Sequence, residues 1–128
     1  MMKKEIIRTD RAPVAVGPYS TAVRAGGFLF LSGQIPLDPA TGAMVAGPFS
    51  AQVRRVLDTI RDVLEASGSG MGRVVKATVF LRDMALFAEF NGIYGEYFKE
   101  DPPARSCFAV SGLPKDAPIE IEVIALCD

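Results

Sequence analysis

Histidine and tryptophan are both absent from this chain of 128 residues, and only two cysteines occur. Without histidine there is no Ser–His–Asp triad, no Cys–His dyad and no histidine-ligated metal. The cysteines, Cys107 and Cys127, lie in separate apolar segments, which is typical of two reduced thiols in a cytoplasmic protein. Any catalysis by this chain must therefore rely on other side chains.

Strong net charge and long apolar runs are also missing. Fourteen Lys and Arg residues face fifteen Asp and Glu residues, for a formal charge of −1. Binding to a phosphate backbone needs clustered basic residues, so a nucleic-acid partner is not expected. No apolar run approaches the roughly 18 residues of a membrane span, and Met1–Glu5 is followed by only two apolar residues, far short of a signal-peptide core. We expect a cytoplasmic protein with no membrane partner.

What remains is the composition of an ordinary folded domain, with 49% apolar and 23% charged residues. The length fits one domain spanning residues 1–128. Apolar periodicity and Gly/Pro punctuation predict six strands and two helices in the order β-β-β-α-β-α-β-β. A hairpin is expected at Gly26-Gly27. The first helix is expected to start at an N-cap at Ser50 and to end near Gly68 and Gly70. The predicted strands are 2–8, 21–25, 28–32, 74–81, 106–110 and 119–126, and the second helix is 84–98.

Two helices cover only one face of such a sheet. In the last strand, every second side chain points away from the helices. These side chains are Glu120, Glu122, Ile124 and Leu126. Half of this set is apolar, which is unusual for a face that meets only water. The sequence therefore predicts that other copies of the chain cover it.

Arg105 and Cys107 lie two residues apart in a strand and so share a face. An Arg at a strand end, beside the Cys107 backbone, suits a planar carboxylate held by two parallel hydrogen bonds. The alternative is a surface Arg paired with an acidic residue. For Cys107, the alternatives are a nucleophile and a half-buried structural thiol.

Glu120 lies in a strand rich in Ile and Val, and an apolar setting raises a carboxyl pKa toward the range useful for acid–base catalysis. The alternative is the solvated end of a strand. If the last two strands formed a simple hairpin, Glu120 and Arg105 would be ~16 Å apart. A shared site therefore requires that the strands are not hairpin partners, or that two subunits contribute. Tyr19, on a turn, and Ser32-Gly33, at a strand end, are weaker candidates that turn chemistry explains equally well.

Several motifs in order give the chain its resemblance to the RidA family (YjgF/UK114), the reactive imine deaminases. The motifs span nearly the whole chain: Val16-Gly17-Pro18-Tyr19-Ser20, Leu31-Ser32-Gly33-Gln34, Val75-Lys76-Ala77-Thr78-Val79-Phe80, Phe90-Asn91, Pro103-Ala104-Arg105-Ser106, Leu113-Pro114-Lys115-Asp116 and Ile119-Glu120-Ile121-Glu122.

The resemblance implies an α+β fold like that of the chorismate mutases, with one mixed sheet and two helices on one face. It also implies a homotrimer whose sheets form a barrel, with active sites in clefts between subunits. The implied reaction is hydrolysis of 2-iminobutanoate or 2-iminopropanoate to the 2-oxo acid and ammonia. No cofactor or metal is needed, because an imine carbon is already electrophilic and the enzyme has only to orient it, present a water and manage a proton.

The same resemblance implies roles for individual residues. Arg105 binds the carboxylate with the Cys107 backbone, and Glu120 holds or activates the attacking water. Tyr19 (in the catalytic set), Ser32, Gly33 and Asn91 match the remaining cleft positions, and Arg61 occupies a helix position where a basic residue sometimes lines the site. The alternatives are a ligand-binding regulatory trimer, a ribonuclease or translation inhibitor, and, on fold alone, a chorismate mutase.

Overall fold

Six strands form one mixed sheet in the computed structural model, which describes residues 2–128. With its two helices the chain has the α+β architecture and the element order expected from the sequence. The strands are β1 (Glu5–Ile7), β2 (Ala22–Ala25), β3 (Phe28–Leu31), β4 (Val74–Leu81), β5 (Ala104–Ala109) and β6 (Ile119–Leu126), and the helices are α1 (Phe49–Ala66) and α2 (Phe87–Tyr97).

The strand order across the sheet is β1-β2-β3-β6-β4-β5, and only the pair β4–β5 is parallel. The parallel pair is joined through α2, as a crossover connection requires. β4 lies between β5 and β6, so the last two strands are not hairpin partners. The expected hairpin is present: Gly26 and Gly27 have φ of 58° and 83°, a left-handed pair suited to a two-residue turn between β2 and β3.

Helix α1 carries the periodic apolar stripe expected from the sequence. Its start differs from the prediction, because Pro48 is the N-cap and no side chain of residues 2–128 caps the helix. The carbonyl of Pro48 already accepts hydrogen bonds from the backbone of Ala51 (3.0 Å) and Gln52 (3.3 Å), which places Ser50 inside the first turn. The N-cap prediction at Ser50 was therefore wrong. The end is close to that expected, with Gly68 at φ 83° just beyond the helix.

The predicted second helix is split in two. Asp83 accepts a hydrogen bond from the Ala85 backbone at 2.9 Å and starts a short 3₁₀ turn, Met84–Leu86, and α2 follows it. Strand boundaries also shift: β1 is shorter than residues 2–8, and β5 starts two residues before the predicted 106, so that Arg105 lies inside the strand. The pairing of β5 with β4 from Lys76 onward accounts for this earlier start.

The hydrophobic core fills the space between the helices and one face of the sheet, where Ile119, Ile121 and Val123 of β6 are buried. The opposite face is only partly polar, and four large apolar side chains on it are at least 39% exposed: Phe28, Phe30, Phe108 and Leu126. The partly apolar second face expected from the sequence is therefore present. Within residues 2–128, no helix has the length and apolar character that a bilayer crossing requires.

Candidate active site

Arg105 and Glu120 lie on opposite faces of the sheet. In the register of the strands, Arg105 is paired with Ala77, which is fully buried beneath the helices, whereas Glu120 is paired with Phe80 on the other face. Residues paired across neighbouring strands point to the same side. One chain therefore carries two separate clusters of candidate residues, one around each of these side chains.

The first cluster joins β5 to helix α2. Arg105 donates from Nη1 to Oδ1 of Asn91 at 2.8 Å. A guanidinium has five N–H groups, and within residues 2–128 this is the only hydrogen bond that the Arg105 side chain makes. No acidic residue of the described chain forms an ion pair with it, so the structure does not support the alternative of a surface Arg bound to an acid.

Aromatic rings of α2 surround the same guanidinium. Its central carbon lies over the ring of Tyr94, 4.8 Å from the ring centroid, and 5.7 Å from the centroids of Phe87 and Phe90. These distances fall within the range of cation–π attraction. The face of the guanidinium is thus covered by its own chain.

Cys107 follows on the same side of β5 and is half-buried. Burial raises the pKa of its thiol, and the nearby Arg105 charge opposes this shift only partly. A thiol with a raised pKa is mostly protonated at neutral pH and is a weak nucleophile. The structure thus favours the structural interpretation of the thiol over the nucleophilic one.

The second cluster surrounds Glu120 on the opposite face. A cleft of about 620 Å³ brings Glu120 together with Tyr19, Ser32 and Gly33, three of the residues singled out in the sequence. Lys115 is the only cationic residue lining the cleft among residues 2–128. The rest of the lining is Pro13, Val14, Val16, Thr21, Gln34, Ile35, Leu37, Pro114 and Glu122.

Gly33 and Glu120 are in close contact. A methyl group at position 33 would lie 2.8 Å from Cδ and 3.0 Å from Cγ of Glu120, and would collide with Oε2. Side-chain carbons do not approach so closely, so the Glu120 carboxyl group occupies the space that glycine leaves open. The absence of a side chain at Gly33 therefore allows the carboxyl group to lie at this position.

The pKa of Glu120 is raised, first because the carboxyl group is partly buried and second because Glu122 lies nearby on the same strand. This agrees with the direction expected from the apolar strand. A carboxyl group with a raised pKa exchanges a proton more readily near neutral pH than an exposed Glu does.

Backbone and side-chain hydrogen bonds fix the strand end at residues 32–34. The Ser32 hydroxyl donates to the Ser20 carbonyl at 2.6 Å, and the Gln34 backbone exchanges two hydrogen bonds with Ile121. The Gln34 side chain is buried and donates to the Ser32 carbonyl at 3.2 Å. This residue was missed as a site residue, although it is the next residue of the Ser32-Gly33 motif.

Arg61 forms no hydrogen bond or ion pair with either cluster within residues 2–128. Its side chain forms ion pairs with Asp58 at 3.2 Å and with Asp62 at 3.4 Å on its own helix. The structure thus places it in a carboxylate network on α1. A role in the site remains a prediction from the resemblance alone.

The sequence predicts an aromatic stripe along the second helix that includes Phe87, Phe90 and Tyr94, and Phe90 and Tyr94 also carry the family resemblance, but neither pattern places the rings beside Arg105. Their spacing with Asn91 follows the steps of three and four residues that place side chains on one helix face. Because Asn91 was itself a candidate, that spacing was the signal that could have placed the rings beside Arg105. No cluster of His, Cys, Asp or Glu side chains suited to a metal ion occurs in the described part of the chain.

Comparisons with known proteins agree with these observations. A family model described as "Endoribonuclease L-PSP" matches residues 9–127. A RutC family protein of Pyrococcus horikoshii is 53% identical over 122 residues, which cover 95% of this chain and 97% of the relative. A 2-iminobutanoate/2-iminopropanoate deaminase of Salmonella typhimurium is 48% identical over 123 residues, or 94% and 95% of the two chains. The crystal structure of E. coli TdcF with bound serine superposes with a TM-score of 0.91 at 41% identity, covering 97% of this chain and 99% of that one.

Proposed function

Because this chain belongs to the RidA (YjgF) family of reactive intermediate deaminases, we propose that it hydrolyses small 2-imino acids to 2-oxo acids and ammonia. The observation that carries the proposal is the pair of clusters described above. One offers a guanidinium whose other N–H groups have no partner within residues 2–128, and the other offers a partly buried carboxyl group in a cleft.

Arg105 binds the substrate carboxylate. The Asn91 oxygen fixes one N–H, and the remaining N–H groups form the fork that accepts a planar carboxylate. Backbone groups at Cys107, two residues along the same strand face, complete the contact. The imine carbon is adjacent to the carboxylate, so this contact orients the reacting atom.

Glu120 manages the protons. Water adds to C2 of the imine, one of its protons passes to the Glu120 carboxylate, and Glu120 delivers that proton to the imine nitrogen, which becomes an amine. Glu120 then takes the proton of the new hydroxyl group and passes it to the amine, so that the C–N bond breaks, the carbonyl forms and neutral ammonia leaves. One carboxyl group with a raised pKa serves both steps. Tyr19 and Ser32, in the same cleft, hold the water or the developing hydroxyl.

The substrate meets both groups only if two copies of the chain form the site. Arg105 and Glu120 point to opposite sides of one sheet, so they do not face one ligand within a chain. A trimer in which the exposed apolar sheet face packs against neighbouring copies brings the Glu120 cleft of one subunit to the Arg105 cluster of the next. The exposed Phe28, Phe30, Phe108 and Leu126 support such packing.

A coupled assay tests the proposal. A pyridoxal-phosphate-dependent dehydratase generates 2-iminobutanoate, and decay of the imine is timed with and without this protein. Faster decay is expected with the wild type. Glu120→Gln is expected to keep calorimetric binding of 2-oxobutanoate but to lose about 100-fold or more of the hydrolysis rate. If the wild-type protein does not accelerate the decay of the imine, the proposed function is contradicted.

The name of the matching family model favours a second candidate, a ribonuclease. The absence of histidine and the net charge of −1 weigh against it. Incubating a structured RNA with wild type, Arg105→Ala and Glu120→Gln separates the two. Cleavage that is lost in both variants would favour the ribonuclease, and equal cleavage by all three would indicate a contaminant.

A further inference from the structure

Four residues on one face of helix α2 lie around Arg105. Phe87, Phe90, Asn91 and Tyr94 are spaced by three, four and seven residues from the first, which puts them in one row along the helix. Asn91 supplies the hydrogen bond at 2.8 Å, and the three rings lie 4.8 to 5.7 Å from the guanidinium carbon. The row therefore contacts both the edge and the face of one cation.

The face and the edge of a guanidinium make different kinds of interaction. Aromatic rings attract the cation through its face, whereas a carboxylate accepts hydrogen bonds from the N–H groups at its edge. Rings that hold the face therefore leave the edge free for a ligand. They also limit the rotation of a long side chain that would otherwise lose entropy on binding.

We propose that Tyr94, supported by Phe87 and Phe90, is a positioning residue that fixes the plane of Arg105 for carboxylate binding. This inference rests on the proposed function for its ligand. Tyr94 acts through Arg105 and does not touch the substrate. It is the ring that positions, because Tyr94 Oη is buried and has no hydrogen-bond partner within residues 2–128. A hydroxyl that oriented Arg105 by a hydrogen bond would be paired with it.

If Tyr94 only packed in the core, its substitution would have different effects. Phe90 is fully buried and Tyr94 is 5% exposed, so both also belong to the core. Loss of packing lowers stability wherever it occurs, whereas loss of positioning lowers ligand affinity only while Arg105 is present. Tyr97 is a matched control, because it is an aromatic residue on the same helix that donates to Asp58 at 2.7 Å instead of contacting Arg105.

The experiment measures the Kd of 2-oxobutanoate and the KM and kcat for imine in Tyr94→Phe, Tyr94→Leu and Tyr97→Leu. Tyr94→Phe keeps the ring and is expected to match the wild type. Tyr94→Leu is expected to raise Kd and KM by about 10-fold with a smaller change in kcat, in line with a partly desolvated cation–π contact. Tyr97→Leu is expected to lose stability without this rise. In an Arg105→Ala background, Tyr94→Leu is expected to add no further loss.

An equal rise in Tyr97→Leu, or an undiminished Tyr94→Leu effect in the Arg105→Ala background, would overturn the inference. If Tyr94→Leu does not fold, Phe87→Leu, at a half-buried ring, takes its place with the same expected direction. The NMR signal of the Arg105 Nε–H group reports on the rings without any substrate, because ring currents shift it. A wild type that neither binds 2-oxobutanoate nor hydrolyses imine refutes the proposed function, and an Nε–H signal unmoved by Tyr94→Leu refutes the positioning role.

Discussion

Glycine at position 33 leaves the room that the Glu120 carboxyl group occupies. In Gly33→Ala the new methyl group would collide with the end of the Glu120 side chain, which is flexible and can move away at low cost to the fold. We expect an intact fold with a displaced carboxyl group, and imine hydrolysis reduced by about 10-fold or more. The coupled assay and a thermal unfolding curve check both parts.

Gly112→Ala is the control for that variant, because a methyl group at position 112 meets no atom within 4 Å. It is expected to leave hydrolysis unchanged. Wild-type activity in Gly33→Ala would remove the close contact with Glu120 from the account of the site.

The raised pKa of Glu120 also predicts how stability depends on pH. A carboxyl group whose pKa is higher in the folded state than in the unfolded state binds more protons when folded, so stability falls as pH rises through that window. Glu120→Gln does not ionise and escapes this loss. We expect the variant to gain stability relative to wild type as the pH rises above about 4, the ordinary pKa of an unfolded glutamate, in thermal unfolding. A stability difference that is independent of pH would contradict the raised pKa.

The residue patterns alone left a structural alternative open for each of Arg105, Glu120 and Gly33. The family resemblance assigned them to the site, and their roles there stay predictions. The partners of Arg105 were not predictable in the same way, since an aromatic stripe such as Phe90 and Tyr94 has the same spacing whether it fills a core or also holds a cation.

At the scale of elements, helix α2 combines a functional face with weak helix propensity. It contains Gly92 and Gly95, both exposed, and a methyl group at either position meets no atom within 4 Å. Gly95→Ala is expected to increase the free energy of unfolding by about 1 kcal/mol, because alanine restricts the unfolded chain and favours the helix. Chemical denaturation measures this. A destabilised variant would indicate that the outer face of α2 packs against another copy.

The elements themselves were largely predictable, and their arrangement was not. Apolar periodicity located α1 and β4 closely, because both bury a regular stripe. The start of α1 was missed because the Pro48 carbonyl begins the helix before Ser50. The position of β4 between β5 and β6 depends on long-range pairing, which local sequence does not encode. The separation expected for a hairpin left two alternatives open: strands that are not hairpin partners, or a site formed by two subunits.

For the whole molecule, the proposal depends on the two faces of the sheet. One face is covered by helices and carries Arg105 beside α2, and the other carries Glu120 and exposes Phe30 and Phe108. An apolar face of this kind is stabilised when copies of the chain pack on it. Sedimentation equilibrium is expected to give the mass of a trimer, and a monomer at micromolar concentration would contradict the shared site.

Complementation between two inactive variants tests the shared site most directly. Arg105→Ala and Glu120→Gln are each expected to be nearly inactive when refolded alone. When equal amounts are unfolded, mixed and refolded together, random assembly places an intact Arg105 opposite an intact Glu120 in about one site in four, so about a quarter of wild-type imine hydrolysis is expected to return. Wild type carried through the same procedure controls for recovery. No return of activity in mixed oligomers of the correct mass would show that both residues act within one chain, and would contradict the account.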